Sequence, residues 1–149
     1  MTDAPAAAAR STSPWLRRED QRLLAGAGCF VGDVQLPGLL HAVFVRSAHA
    51  HGRVLSVDVA AALDAPGVRA VLTAADFAGL PAPQVNALLP ALQLPTTGAI
   101  APDRVLAVGA PLALVVADTR AQAQAAADLV WADIEEWAAV ADGADAQAA

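Results

Sequence analysis

Ser47, His49 and His51 lie in one short stretch between Arg46 and Arg53, with His41 a little upstream. Two imidazoles at i, i+2 can share a strand face and bind a transition metal. A stable site needs about three or four ligands, and no Cys or carboxylate stands at matching spacing. Arg46 and Arg53 also oppose a bound cation, so hydrogen-bonded turn histidines are the expectation. Ser47 near His49 suggests a nucleophile and its base, yet no oxyanion motif accompanies them. Cys29 has no neighbouring His or Lys to lower its pKa and reads as a small apolar contact. Gly26-Ala27-Gly28 invites a dinucleotide loop. The third glycine, Gly32, comes one position late, and the flanking strand and helix that would aim backbone N–H groups at a pyrophosphate are missing. Glu135 and Glu136 are adjacent on an expected strand and point to opposite faces, so they are not a paired acid and base. Trp131 and Trp137 differ by an even number and can share a face, for core packing or as an interface anchor. These residues assemble no catalytic, cofactor-binding or metal site.

The elements that would position them follow from periodicity. Met1 to Pro14 is Ala-rich and reads as a disordered leader. From Trp15 to Gly38 neither periodicity persists. Arg17, Glu19 and Asp20 are mixed with Leu23, Leu24 and Phe30, a segment that cannot bury itself. It reads as an extended arm laid on another surface, with those six residues as the candidate partner interface. A compact block then begins. Leu39–Arg46 and Arg53–Asp58 read as strands joined by the Ser47–Gly52 turn, Val59–Asp64 as a short helix stopped by Pro66-Gly67, and Val68–Leu72 as a strand. Thr73 to Asp76 is a capping box opening one further helical turn. Gly79 to Pro102, rich in proline, is a long irregular excursion of the kind that is often functional. Val105–Val108 and Leu112–Ala117 are apolar on both faces, as central strands are. Thr119-Arg120-Ala121-Gln122 caps a helix whose Ala123, Ala126, Ala127 and Val130 share a face. Trp131–Trp137 closes the block, and residues 143–149 read as a frayed tail. The result is an α/β (α+β-like) domain over residues 39–142 with one mixed sheet. It is not a regular Rossmann fold, because the Val59–Gly67 connection is too short for a crossover.

Composition sets limits. The chain has 149 residues and a net charge of -6, which argues against nucleic acid as a partner because phosphate binding needs a basic patch. A domain of this length buries roughly 68–70% of its unfolded surface. Its single cysteine allows no internal disulfide, as in a reducing compartment. The longest apolar run, Val105–Ala117, is broken by Gly109 and Pro111 and falls short of the roughly 18–20 residues of a membrane span. No secretory signal is evident. The expected location is cytoplasmic.

Several segments, in order, carry a set of recurring motifs. Arg17-Arg18-Glu19-Asp20 resembles R-x-E-D, and Gly26-Ala27-Gly28-Cys29-Phe30 resembles G-x-G-x-F. Leu36 to Ala42 is similar to L-P-G-M-L-H-A, and Arg46 to Arg53 to R-S-x-H-A-x-x-R. Ala65-Pro66-Gly67-Val68 with Val71-Leu72-Thr73 resembles A-P-G-V…V-[LF]-T. Asp103-Arg104-Val105 with Val108 to Pro111 resembles D-R-V-x-x-V-G-E-P. Ala117 to Ala123 is similar to A-x-T-x-A-x-A. Cys29, Ala48, Ala110 and Ile134 depart from the residues usual at their positions, and Glu136 and Ala138 replace prolines of the closing motif.

Together, in this order, these motifs resemble the opening of the large, molybdenum-carrying subunit of the xanthine dehydrogenase, aldehyde oxidase and carbon monoxide dehydrogenase family. The resemblance implies the α/β hammerhead fold. It also implies a place in enzymes that hydroxylate an aldehyde, purine or other N-heterocycle, or act on carbon monoxide. Their molybdopterin cofactor, iron–sulfur clusters and FAD are expected in the assembled complex, with none bound by this chain alone. The implied partners are the remaining molybdenum-subunit domains and the iron–sulfur and FAD subunits. The leading expectation is a separately encoded domain or split subunit, inactive when isolated. The alternative is a non-catalytic relic or an assembly or binding module derived from that domain. A free-standing hydrolase built on Ser47 and His49 is a third class.

Overall fold

The computed structural model describes residues 17, 19–81 and 98–148. The leader, Trp15 and the middle of the proline-rich excursion lie outside the described residues. The chain divides into two compact units, Met1–Pro37 and Gly38–Ala149.

In the first unit the expected extended arm contains a turn of helix, α1, at Asp20–Leu24, and a 3₁₀ turn at Val31–Asp33. Local capping explains both. The Asp20 carboxylate accepts from the Arg17 N–H at 3.2 Å and adds negative charge to the first turn of α1. The Asp33 carboxylate accepts from the Phe30 N–H at 2.9 Å. Gly26, at φ 67, reverses the chain after α1. Five helical residues are too few to leave a periodic signature.

The second unit holds six strands and three helices among its described residues. In chain order these are β1 (His41–Arg46), β2 (Gly52–Asp58), α2 (Ala60–Leu63), β3 (Val68–Leu72), β4 (Arg104–Val105), β5 (Pro111–Ala117), α3 (Arg120–Ala127), β6 (Trp131–Glu136) and α4 (Gly143–Ala148). The α/β class stands, but the single mixed sheet does not. The strands form two three-stranded antiparallel sheets, β1-β5-β3 and β4-β2-β6. β1 and β2 are consecutive yet belong to different sheets, because the connection between them is a corner and not a hairpin turn. Val105–Val108 contributes a strand only at Arg104–Val105. Where a frayed tail is expected, the structure has α4, consistent with the high helix propensity of alanine.

The core lies between the β1-β5-β3 sheet and helices α2 and α3. Ala62, Val71, Ala113, Val115, Ala126 and Ala127 form its buried centre, with Val43, Val45 and Val68 packed against it. The buried side chains on α3, those of Ala123, Ala126 and Ala127, are all methyls, so the helix can approach the sheet closely. Its start is fixed by Thr119, whose Oγ1 accepts from the Gln122 N–H at 3.2 Å and donates to Gln122 Oε1 at 2.8 Å. Asp58 Oδ1 accepts from the Ala60 N–H at 3.0 Å at the start of α2. Thr73 and Asp76 bond as the capping box requires, with Thr73 N donating to Asp76 Oδ2 at 2.7 Å. The helical turn they open is 3₁₀, at Ala74–Phe77. No described helix is long and apolar enough to cross a membrane.

Candidate functional site

Ser47, His49 and His51 sit at the corner between β1 and β2, and the Ser47 hydroxyl and His51 ring help to hold it. Past a register shift at Val45/Arg46, the β1–β5 ladder continues through Ser47. Its N–H donates to Ala110 O at 2.9 Å, and its carbonyl accepts from Gly109 N at 2.8 Å. The Arg46 guanidinium donates to Gly109 O at 2.8 Å. The chain can make this turn because Gly109 adopts φ 87, a conformation costly for other residues. The R-S-x-H-A and V-G-A-P segments, far apart in sequence, are therefore two halves of one joint.

Ser47 is only 4% exposed. Its Oγ donates to His49 O and accepts from His49 N, both at 3.0 Å. The hydroxyl is thus committed to its own turn, with the backbone of His49 and not its ring as partner. A nucleophile–base pair does not form. His51 ties the corner to the end of β6. Its carbonyl accepts from Trp137 N at 3.0 Å, and its Nδ1 lies 2.9 Å from Ala138 O. A carbonyl can only accept, so Nδ1 carries the hydrogen. The His51 ring meets Trp137 edge-on, with centroids 5.3 Å apart. His49 Nδ1 stands 3.8 Å from Glu136 Oε2, both well exposed. Among the described residues no group of three or more His, Cys, Asp or Glu could hold a metal ion. This donor set does not fit a resident metal centre.

Gly52 lets β2 pass between β4 and β6. A Cβ there would sit 2.6 Å from Glu135 O and 2.9 Å from Ile134 Cγ2. Glu135 and Glu136 do diverge: Glu135 Oε2 receives the Arg53 guanidinium at 2.8 Å, while Glu136 lies toward His49. Trp131 and Trp137 do not share a core face. Trp131 is 73% exposed, and Trp137 lies beyond the end of β6, against His51.

A second joint links the A-P-G-V segment to the start of α3. Gly67, at φ 78, directs its carbonyl to the Asp118 N–H at 2.9 Å, and a Cβ on it would collide with the Gln122 amide. Arg69 bulges out of β3 to form a bidentate pair with Asp118 at 2.7 and 3.0 Å. First the hydrogen bond to Asp118 and then its charge hold the guanidinium pKa above its ordinary value.

The six arm residues are all in the first unit. Arg17 and Glu19 are exposed, and Asp20 is half-buried and engaged with the Arg17 N–H. Leu23 lies over Gly28, while Leu24 and Phe30 are 88% and 68% exposed. Cys29 is a free, exposed thiol. A cleft of about 330 Å³ in the second unit lies against Pro102, Asp103, Arg104, Leu106, Ala110 and Pro111. Its charged pair is Arg104 and Asp103, 3.9 Å apart, and among the described residues no Ser, Cys or His lines it.

Sequence spacing did not disclose the Arg46–Gly109 and His51–Ala138 bonds or the Gly67–Gln122 contact, because each joins segments far apart in the chain. The glycine positions were the available signal.

The comparisons with known proteins agree with this geometry. The sequence profile described as "Aldehyde oxidase and xanthine dehydrogenase, a/b hammerhead domain" matches residues 25–137. The nicotine 6-hydroxylase large subunit of Paenarthrobacter nicotinovorans is 42% identical over 130 residues, covering 85% of this chain and 16% of that protein. The carbon monoxide dehydrogenase large chain of Afipia carboxidovorans is 43% identical over 119 residues, covering 80% and 14% respectively. The crystal structure of quinoline 2-oxidoreductase from Pseudomonas putida 86 superposes with a TM-score of 0.76 at 40% identity, covering 84% of this chain and 16% of that one. The chain thus spans about a sixth of these longer relatives. It belongs to the a/b hammerhead domain family of aldehyde oxidase and xanthine dehydrogenase.

Proposed function

We propose that this chain is the hammerhead scaffold of a molybdopterin-dependent hydroxylase, and that it works when docked on the remainder of that enzyme without contributing a reacting group. One observation carries the reading. The domain matches its family along most of its length, yet Ser47 and His51, which could have done chemistry, are spent on the β1–β2 corner. Its departures from the family pattern are accommodated. Ile134 pairs with Val54, and the Ala110 carbonyl accepts from Ser47. That favours a working domain over a decayed one.

The substrate class of the assembled enzyme is an aldehyde, purine or other N-heterocycle, in keeping with relatives named for nicotine and quinoline. Companion domains of the molybdenum subunit carry molybdopterin, and companion subunits carry the iron–sulfur clusters and FAD. The arm residues Arg17, Glu19, Asp20, Leu23, Leu24 and Phe30 form one contact surface toward these companions, and the complex is cytoplasmic.

Affinity purification of the tagged chain from its host tests this. The expected result is co-purification of a molybdenum-domain or iron–sulfur polypeptide, with molybdenum following the complex and not the isolated chain. Turnover of a substrate by the isolated chain, or molybdenum held by it alone, overturns the reading. Leu24→Asp with Phe30→Asp is expected to weaken capture while leaving the fold intact.

A further inference from the structure

We infer that the outer face of the β1-β5-β3 sheet docks this domain onto the rest of its large subunit, and that the surface opposing its two apolar rows is apolar. This rests on the scaffold reading above. Strand register defines the face. Ala42, Val116 and Ala70 lie side by side across the three strands, and Phe44, Leu114 and Leu72 form the next row. None of the six belongs to the core cluster, whose helices cover the opposite face. Phe44 is 44% exposed, Ala42 is exposed and the other four are half-buried.

An antiparallel sheet that faces water carries polar residues on that side. The second sheet does so, with the Arg53–Glu135 ion pair beside Ser56 and Asp133. Neither of the two rows on the outer face of the first sheet has a polar side chain, and Arg46, at the end of β1, lies beside the Phe44 ring. The aromatic anchor of this face, Phe44 on the edge strand β1, is also preorganised. The Arg46 guanidinium lies 5.3 Å from the Phe44 ring centroid and is pinned by Gly109 O, so little side-chain freedom remains to be lost on docking.

Two features select the occupant. In each relative described above the domain is a sixth or less of a longer chain, so further polypeptide of that chain always accompanies it. A second copy is disfavoured because two chains of charge -6 repel.

The probe is the P. nicotinovorans nicotine 6-hydroxylase large subunit with its matching segment deleted, used in trans and also fused to this chain. Wild type is expected to bind in trans, and Phe44→Asp to lose at least about tenfold in affinity. Leu55→Asp, at an exposed position on the other sheet, should bind as wild type does. If Phe44→Asp fails to fold, carbene footprinting of the fused wild-type chain replaces it. Labelling at Phe44 and Leu72 should then fall relative to the free chain. Full-affinity binding by folded Phe44→Asp, or protection elsewhere in the domain but not at Phe44 and Leu72, overturns the face and leaves the scaffold reading standing. No binding in trans and no protection anywhere overturns both. A concentration-dependent dimer of the free chain, abolished by Phe44→Asp, gives the face to a second copy and also overturns the inference.

Discussion

Replacing Gly52 with alanine puts a methyl group into a close contact between β2 and β6. The new carbon would meet the Glu135 carbonyl oxygen at 2.6 Å and Ile134 Cγ2 at 2.9 Å. The two obstacles differ in kind. Ile134 can rotate, whereas the carbonyl moves only if β6 shifts away from β2 close to the Arg53–Glu135 and Trp137–His51 bonds. Overpacking of this type costs about 1–3 kcal/mol, and the backbone obstacle places Gly52→Ala near ~2 kcal/mol. For a unit of this size that is a fall in Tm of roughly 8 °C. Urea and thermal unfolding followed by tryptophan fluorescence suit the purpose, since Trp131 opens β6 and Trp137 follows its last residue. A double-mutant cycle with Ile134→Ala separates the two obstacles. Removing Cγ2 should relieve no more than about 1 kcal/mol of the Gly52→Ala penalty, because the carbonyl remains. A Tm unchanged within about 1 °C in Gly52→Ala, or complete rescue by Ile134→Ala, would refute the proposed strand packing.

Other substitutions probe the joints. Ser47→Ala should cost about 1–2 kcal/mol in urea unfolding, because the His49 N–H loses its acceptor in a largely buried turn. Thr119→Ala should cost about 1 kcal/mol through loss of the α3 cap, and Thr119→Asp, which keeps an acceptor, should stay within a few tenths of wild type. Gly67→Ala should lose about 1–2 kcal/mol to its left-handed backbone, and Gln122→Ala should recover only the collision with the amide. Asp118 raises the Arg69 pKa, so the stabilisation on that side is present below the unfolded value and lost only as pH climbs through the raised one. Between about pH 7 and 10 the Tm difference between Arg69→Gln and wild type should therefore stay flat, and it should shrink with added salt.

Much of the second unit was legible because its elements announce themselves locally. β5 is an apolar run and β3 is apolar but for Arg69, Thr119 and Gln122 mark the start of α3, and alanines at helical spacing identify its buried face. The division into two sheets was not legible. Strands joined by a short turn ordinarily pair, and only the contacts from Ser47 to Gly109 and Ala110 show that the chain changes sheets at this corner. α1 escaped notice because one and a half turns leave no pattern, and the trace of its cap is a single aspartate. At the candidate site the spacing of Ser47, His49 and His51 showed that chemistry was conceivable. What they are used for depends on carbonyls at Gly109 and Ala138, and sequence does not label carbonyls.

How long each strand waits for its partner during synthesis follows from the way the two sheets interleave. Arg53 meets Glu135, 82 positions later, so β2 must wait for its long neighbour. At about 5–20 residues per second that interval is roughly 4–16 s. Throughout it, Val54 and Val57 have no finished sheet to join, and sheets assembled from distant segments close slowly. A nascent chain stalled before Trp131 would expose a sticky ribbon, a natural substrate for a chaperone.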